Sequence, residues 1–89
     1  MHSIVEQNRV RILALAERHG ITNVRVFGAM DDASDVDLLV SLPPEKTGLA
    51  LGALLMDVQD LLKRRVEVVT EKRLHPAFRE RVLTEAQPL

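Results

Sequence analysis

The chain contains no cysteine, tryptophan or tyrosine, and its only aromatic residues are Phe27 and Phe78. Without cysteine, disulfides and thiolate chemistry are excluded, and zinc would have to rely on His2, His19 and His75, which are scattered without ligand spacing. Two aromatics leave little for stacking on nucleic-acid bases. Neither sign of charge predominates: 12 Lys and Arg stand against 13 Asp and Glu, so the electrostatic footprint of a duplex binder is missing and direct nucleic-acid binding is not expected. No apolar run approaches the length of a membrane span, and residues 1–6 lack the basic and apolar regions of a signal peptide. The expectation is a cytoplasmic protein that does not enter membranes.

What remains is a globular composition, 46% apolar and 28% charged. A chain of 89 residues reads as a single domain, 1–89, near the small end of those that fold alone, so a partner or self-association would help it.

The stretch around which the chain is organised is Ser34-Asp35-Val36-Asp37-Leu38-Leu39-Val40. On a strand, side chains two apart share a face, so Asp35 and Asp37 project together while Val36, Leu38 and Val40 fill the other side. Two like charges a few Å apart repel and lose hydration on entering a sheet, a cost that a cation or a proton answers. Mg²⁺ prefers hard oxygen ligands and takes one or two carboxylates plus substrate phosphates, which makes phosphoryl or nucleotidyl chemistry the leading idea. The plainer reading stands beside it: Asp31, Asp32, Asp35 and Asp37 also suit turns, strand entries and sheet edges.

Elsewhere, Ser3-Ile4-Val5-Glu6 has the pattern of a capping box, followed at helical spacing by Val5, Ile12, Leu13, Leu15 and Ala16 and closed by Gly20. Val24-Arg25-Val26-Phe27 reads as a strand stopped by Gly28, and the acidic strand runs to about Leu42 before Pro43-Pro44. A second helix from about Gly48 carries Leu51, Leu54, Leu55, Val58, Leu61 and Leu62 on one face. Its second stripe, Leu49, Gly52, Ala53 and Met56, suits either a docking partner helix or burial on two sides within the domain. Val66-Glu67-Val68-Val69-Thr70 is a third strand in which Glu67 stands out, and His75-Pro76 opens a last helix through Phe78, Val82 and Leu83. Arg73, Arg79 and Arg81 read as a solvated face. This order predicts an α+β fold, an α/β sandwich with a small mixed sheet on which helices pack.

Val26-Phe27-Gly28, the Asp35/Asp37 strand, Arg65-Val66-Glu67-Val68-Val69-Thr70 and Leu74-His75-Pro76 together resemble the minimal nucleotidyltransferase family of the DNA polymerase β superfamily, over most of the chain. The resemblance implies a nucleotidyltransferase-like fold and a role as antitoxin beside a HEPN-domain ribonuclease toxin, in a hetero-oligomer of the type VII kind. It implies that Asp35, Asp37 and Glu67 are catalytic and hold Mg²⁺, that Gly28 and Ala29 adjoin the nucleotide, and that ATP donates AMP to a tyrosine of the toxin. The sequence departs from the family in three ways: Ala29 stands where the family has serine, six residues instead of a longer loop separate Gly28 from Asp35, and Glu67 replaces the usual aspartate. The shortened loop removes a hydroxyl, a cation and backbone donors that hold phosphates, so the alternative is a catalytically degenerate fold that neutralises the toxin by binding alone.

Overall fold

The computed structural model describes residues 1–89, as α1 (Ser3–Gln7), α2 (Arg9–Arg18), β1 (Thr22–Phe27), β2 (Val36–Ser41), α3 (Gly48–Leu62), β3 (Val66–Thr70), a 3₁₀ turn (Glu71–Arg73), α4 (Pro76–Glu85) and β4 (Gln87–Pro88). The four strands form one sheet in the order β3-β2-β1-β4. β1 pairs antiparallel with β2 and with β4, while β2 and β3 run parallel. A parallel pair needs a crossover, and α3 supplies it. The result is the small mixed α+β sheet expected from the alternation of elements. No helix is long and apolar enough to cross a membrane.

One face of the sheet carries the main core. Val36, Leu38 and Val40 point into it, as the period of two requires, and meet Leu51, Leu54, Val58 and Leu62 of α3 and Val5, Ile12 and Ala16 of α1 and α2. Thr47 starts α3 by accepting the backbone N–H of Leu49 on its hydroxyl (3.3 Å), and Lys63 ends it in a left-handed conformation (φ 56°). The second stripe of α3 is not buried within the domain: Leu49 is 83% and Met56 63% exposed.

The amino-terminal helix departs from expectation. Ser3 does not cap it; His2 holds that position, and Ser3 instead donates its backbone N–H (3.2 Å) and hydroxyl (3.4 Å) to the Asp32 carboxylate. The helix is also broken at Asn8, whose side-chain amide donates back to the carbonyl of Ile4 (2.8 Å) and competes with regular helix bonding. Val5, Ile12 and Ala16 still share one buried face across the break, while Leu13 is exposed.

β4 has no strand-like signal in the sequence. Its residues pair with Arg25 and Val26, Leu89 N–H donates to the carbonyl of Val24 (2.9 Å), and Arg9 Nε donates to the carbonyl of Leu89 (2.8 Å).

Candidate functional site

β2 is a central strand, flanked by β3 and β1, so its acids do not blunt a sheet edge. Asp37 lies in register with Glu67 on β3 and with Phe27 on β1, on the face opposite the main core. In a parallel pair, residues in register present their side chains to the same side, so the Asp37 and Glu67 carboxyls are neighbours. Asp35 precedes the strand and is exposed at its mouth. None of the chain's ion pairs involves Asp35, Asp37 or Glu67.

The electrostatic consequence falls on Asp37. Burial, then the neighbouring Glu67 carboxyl and the charge of Asp35, push its carboxyl up from 3.8 to about 6, with His2 opposing. His2 is fully buried and neither of its ring nitrogens has a hydrogen-bond partner. Its burial was not legible from a sequence in which the three histidines look scattered. His19 pairs with Asp57 (2.7 Å), and His75 caps α4 by accepting the Ala77 N–H on Nδ1 (3.0 Å).

Gly28 is held here for two reasons. Its φ is +80°, which only glycine adopts freely, and a Cβ at this position would lie 2.5 Å from Asp37 Oδ2. Backbone thus passes against the carboxylate. The loop from Gly28 to Asp35 is a tied turn: Asp31 accepts the Ala33 N–H (3.0 Å) and the Ser34 hydroxyl (2.8 Å), and Ser34 N–H donates to the Asp31 carbonyl (3.1 Å). The Ser34 hydroxyl, then the Ala33 N–H, hold the Asp31 carboxyl below its ordinary range. Arg64 reaches over to donate to the carbonyls of Asp32 and Ser34. Asp31 and Asp32 are therefore turn and tether residues, whereas Asp37 has no such employment. Ala29, exposed, follows Gly28 at the rim.

The carboxylates do not form a ready-made cluster of three metal ligands. The neighbouring pair Asp37 and Glu67, with Asp35 at the mouth, is the donor set that suits Mg²⁺, which is commonly held by one or two carboxylates and completed by substrate phosphates. A divalent cation would also reverse the electrostatics that raise the Asp37 carboxyl.

From this corner a groove of about 630 Å³ runs between the sheet and α4, past Gly28, Glu67 and Val69 on one side and His75, Phe78 and Arg81 on the other. Arg73 and Arg81 are exposed, as a solvated face requires, yet both line this groove. Arg79 lies elsewhere, beside Glu71 (3.8 Å). The spacing of Phe78, Arg81, Val82 and Glu85, one face of a helix, is the signal that could have shown α4 as a wall of the site.

A model of the nucleotidyltransferase domain family matches residues 12–89. A protein of Methanocaldococcus jannaschii named "Putative protein adenylyltransferase MJ0435" is 28% identical over 87 residues, covering 92% of this chain and 94% of that protein. A solved structure described as "putative minimal nucleotidyltransferase" superposes with a TM-score of 0.79 at 40% identity, over 100% of this chain and 97% of its own. A chain from the crystal structure of the toxin–antitoxin MntA–HepT superposes with a TM-score of 0.72 at 19% identity, over 93% of this chain and 69% of that one, a likeness of fold. The matched family model and the minimal relative both span the Asp37–Glu67 corner, and this chain belongs to the nucleotidyltransferase domain family, among its minimal nucleotidyltransferases.

Proposed function

We propose that this chain is the antitoxin of a toxin–antitoxin pair and a Mg²⁺-dependent nucleotidyltransferase that moves AMP from ATP to a tyrosine of a HEPN-domain ribonuclease toxin. The observation that carries the enzymatic part is the Asp37–Glu67 carboxyl pair: two acids in register on neighbouring strands, in no ion pair with a cation of the chain, beside a glycine that lets backbone approach. Asp35, Asp37 and Glu67 are the residues that would hold the metal. Bound Mg²⁺ supplies charge neutralisation for transferring phosphates and activation of an attacking hydroxyl. Asp37 is the acid whose protonation matters most, since it holds a proton to about pH 6 and must release it to act as a ligand. Gly28 keeps the floor open for phosphates, and Ala29 stands next to them. The antitoxin role draws on the fold shared with a chain of the MntA–HepT complex and on the relative named as a protein adenylyltransferase.

A second reading has an observation of its own. The short turn between Gly28 and Asp35 spends its polar groups on itself, on Ser3 and on Arg64, leaving no serine after Gly28 to hold phosphate. On this reading the chain silences its toxin by contact alone, and the exposed Leu49 and Met56 of α3 suit such contact.

Thermal melts in EDTA, in Mg²⁺ and in Mg²⁺ with ATP separate the two. Ligand at a hundred times its dissociation constant stabilises by about 2.7 kcal/mol, several degrees in a chain this small. The enzyme reading expects this shift in the parent and its loss in Asp35→Asn/Asp37→Asn, with AMP added to the co-expressed toxin in intact-mass measurement. Toxin neutralisation that survives the double substitution, with no shift and no added mass, would establish binding alone.

A further inference from the structure

We propose that the groove between the sheet and α4 is a nucleobase site, with Phe78 as the stacking surface and His75 Nε2 as a donor to a ring nitrogen of a purine. This deepens the nucleotidyltransferase reading and rests on it for the polyphosphate end. Phe78 is one of two aromatic residues in the chain and is 56% exposed, although an aromatic ring is among the side chains that most favour burial. His75 does not cover it: the two rings are 5.7 Å apart and tilted by 52° instead of stacked. The groove's volume of about 630 Å³ falls within the range of small-ligand sites, and its wall is half apolar, through Val69, Phe78 and Val82 among others.

The chemistry of the rim fits the same occupant. Because His75 Nδ1 accepts the Ala77 N–H, the neutral ring carries its proton on Nε2, which leaves that nitrogen a donor. Arg81, tied through Nε to Glu85 (3.3 Å), retains its two terminal nitrogens for an anion. Across the groove from His75 and Arg81 stand Glu67 and Gly28, next to Asp37. A nucleotide spanning it would set its base against Phe78 and its phosphates toward the carboxylates. α4 would then offer contacts in place of those lost with the shortened loop.

The test uses three probes on the full chain: adenosine in EDTA, ATP with Mg²⁺, and inorganic tripolyphosphate with Mg²⁺, titrated calorimetrically. The parent should bind ATP at least about tenfold more tightly than tripolyphosphate, the order of a base–aromatic stack. Phe78→Ala should erase that difference and weaken adenosine, and Phe78→Tyr should keep both. Asp37→Asn should weaken the two polyphosphates together and leave adenosine unchanged. If adenosine binds in a Phe78-dependent way while tripolyphosphate does not bind and ATP binds no more tightly than adenosine, the base site stands and the transferase reading falls. If Phe78→Ala binds ATP as the parent does, or the parent shows no preference for ATP over tripolyphosphate, the base site is overturned while metal–nucleotide binding stands or falls on Asp37 alone.

Discussion

Replacing Gly28 by alanine is expected to lower stability by about 2 kcal/mol, and the structure supplies each contribution. A non-glycine residue at a φ of +80° costs about 1–2 kcal/mol. The new methyl would lie 2.5 Å from Asp37 Oδ2 and must turn that carboxyl out of its rotamer, at roughly 0.5–1.5 kcal/mol. Restricting the unfolded chain returns roughly 0.4–1 kcal/mol. For a domain of this size the net corresponds to a fall in melting temperature of roughly 8–15 °C. Gly52→Ala is the matched control: Gly52 lies within α3, a Cβ there meets nothing within 4 Å, and the exchange should raise stability by roughly 0.5–1 kcal/mol. Both are read by thermal and urea melts of the purified chain. A Gly28→Ala protein that melts at or above the parent, with Gly52→Ala behaving as stated, would refute the apposition of Gly28 and Asp37.

Three further outcomes are expected. Asp37 binds its proton more tightly folded than unfolded, so stability should decline as pH rises from about 4 to about 6 and then level off. Asp37→Asn should remove that slope, and a slope unchanged by the substitution would count against the carboxyl pair. Mg²⁺ should recover stability above pH 6 in the parent, by stabilising the ionised carboxylates, and have no effect on Asp35→Asn/Asp37→Asn; equal effects on both would put the cation elsewhere. Leu54→Ala, at a fully buried position facing the sheet, should cost about 3 kcal/mol in a urea melt, whereas Leu49→Ala on the same helix should cost well under 1 kcal/mol.

Much of this molecule was legible before folding because the signals were local. Alternation along residues 36–40 identified the core face of β2, and glycine positions closed the first helical segment and β1. The helix break at Asn8 was missed because the capping-box pattern at Ser3 is a local preference, and a carboxylate 29 residues away took the serine. β4 was missed for a related reason: Gln87 and Pro88 have poor strand propensity, and only the open edge of β1 makes them a strand. The arginines after β3 looked like a solvated face since a helix read alone has no opposing wall, and Arg81 became a groove residue only when α4 lay across the sheet.

The sequence by itself determined the alternation of helices and strands, the apolar faces, and the residue types of the acidic corner, because periodicity and turn chemistry act within a few residues. It also carried the family, since Asp35, Asp37 and Glu67 stand in a recognisable order. Only the tertiary structure decided that Asp37 and Glu67 are neighbours, that Asp35 stands at the mouth, and that β2 is central instead of an edge. Strand order depends on which faces can be covered at once, and no local preference encodes that. The same is true of the raised Asp37 carboxyl: burial and a neighbouring charge arise only when segments some 30 residues apart are packed side by side.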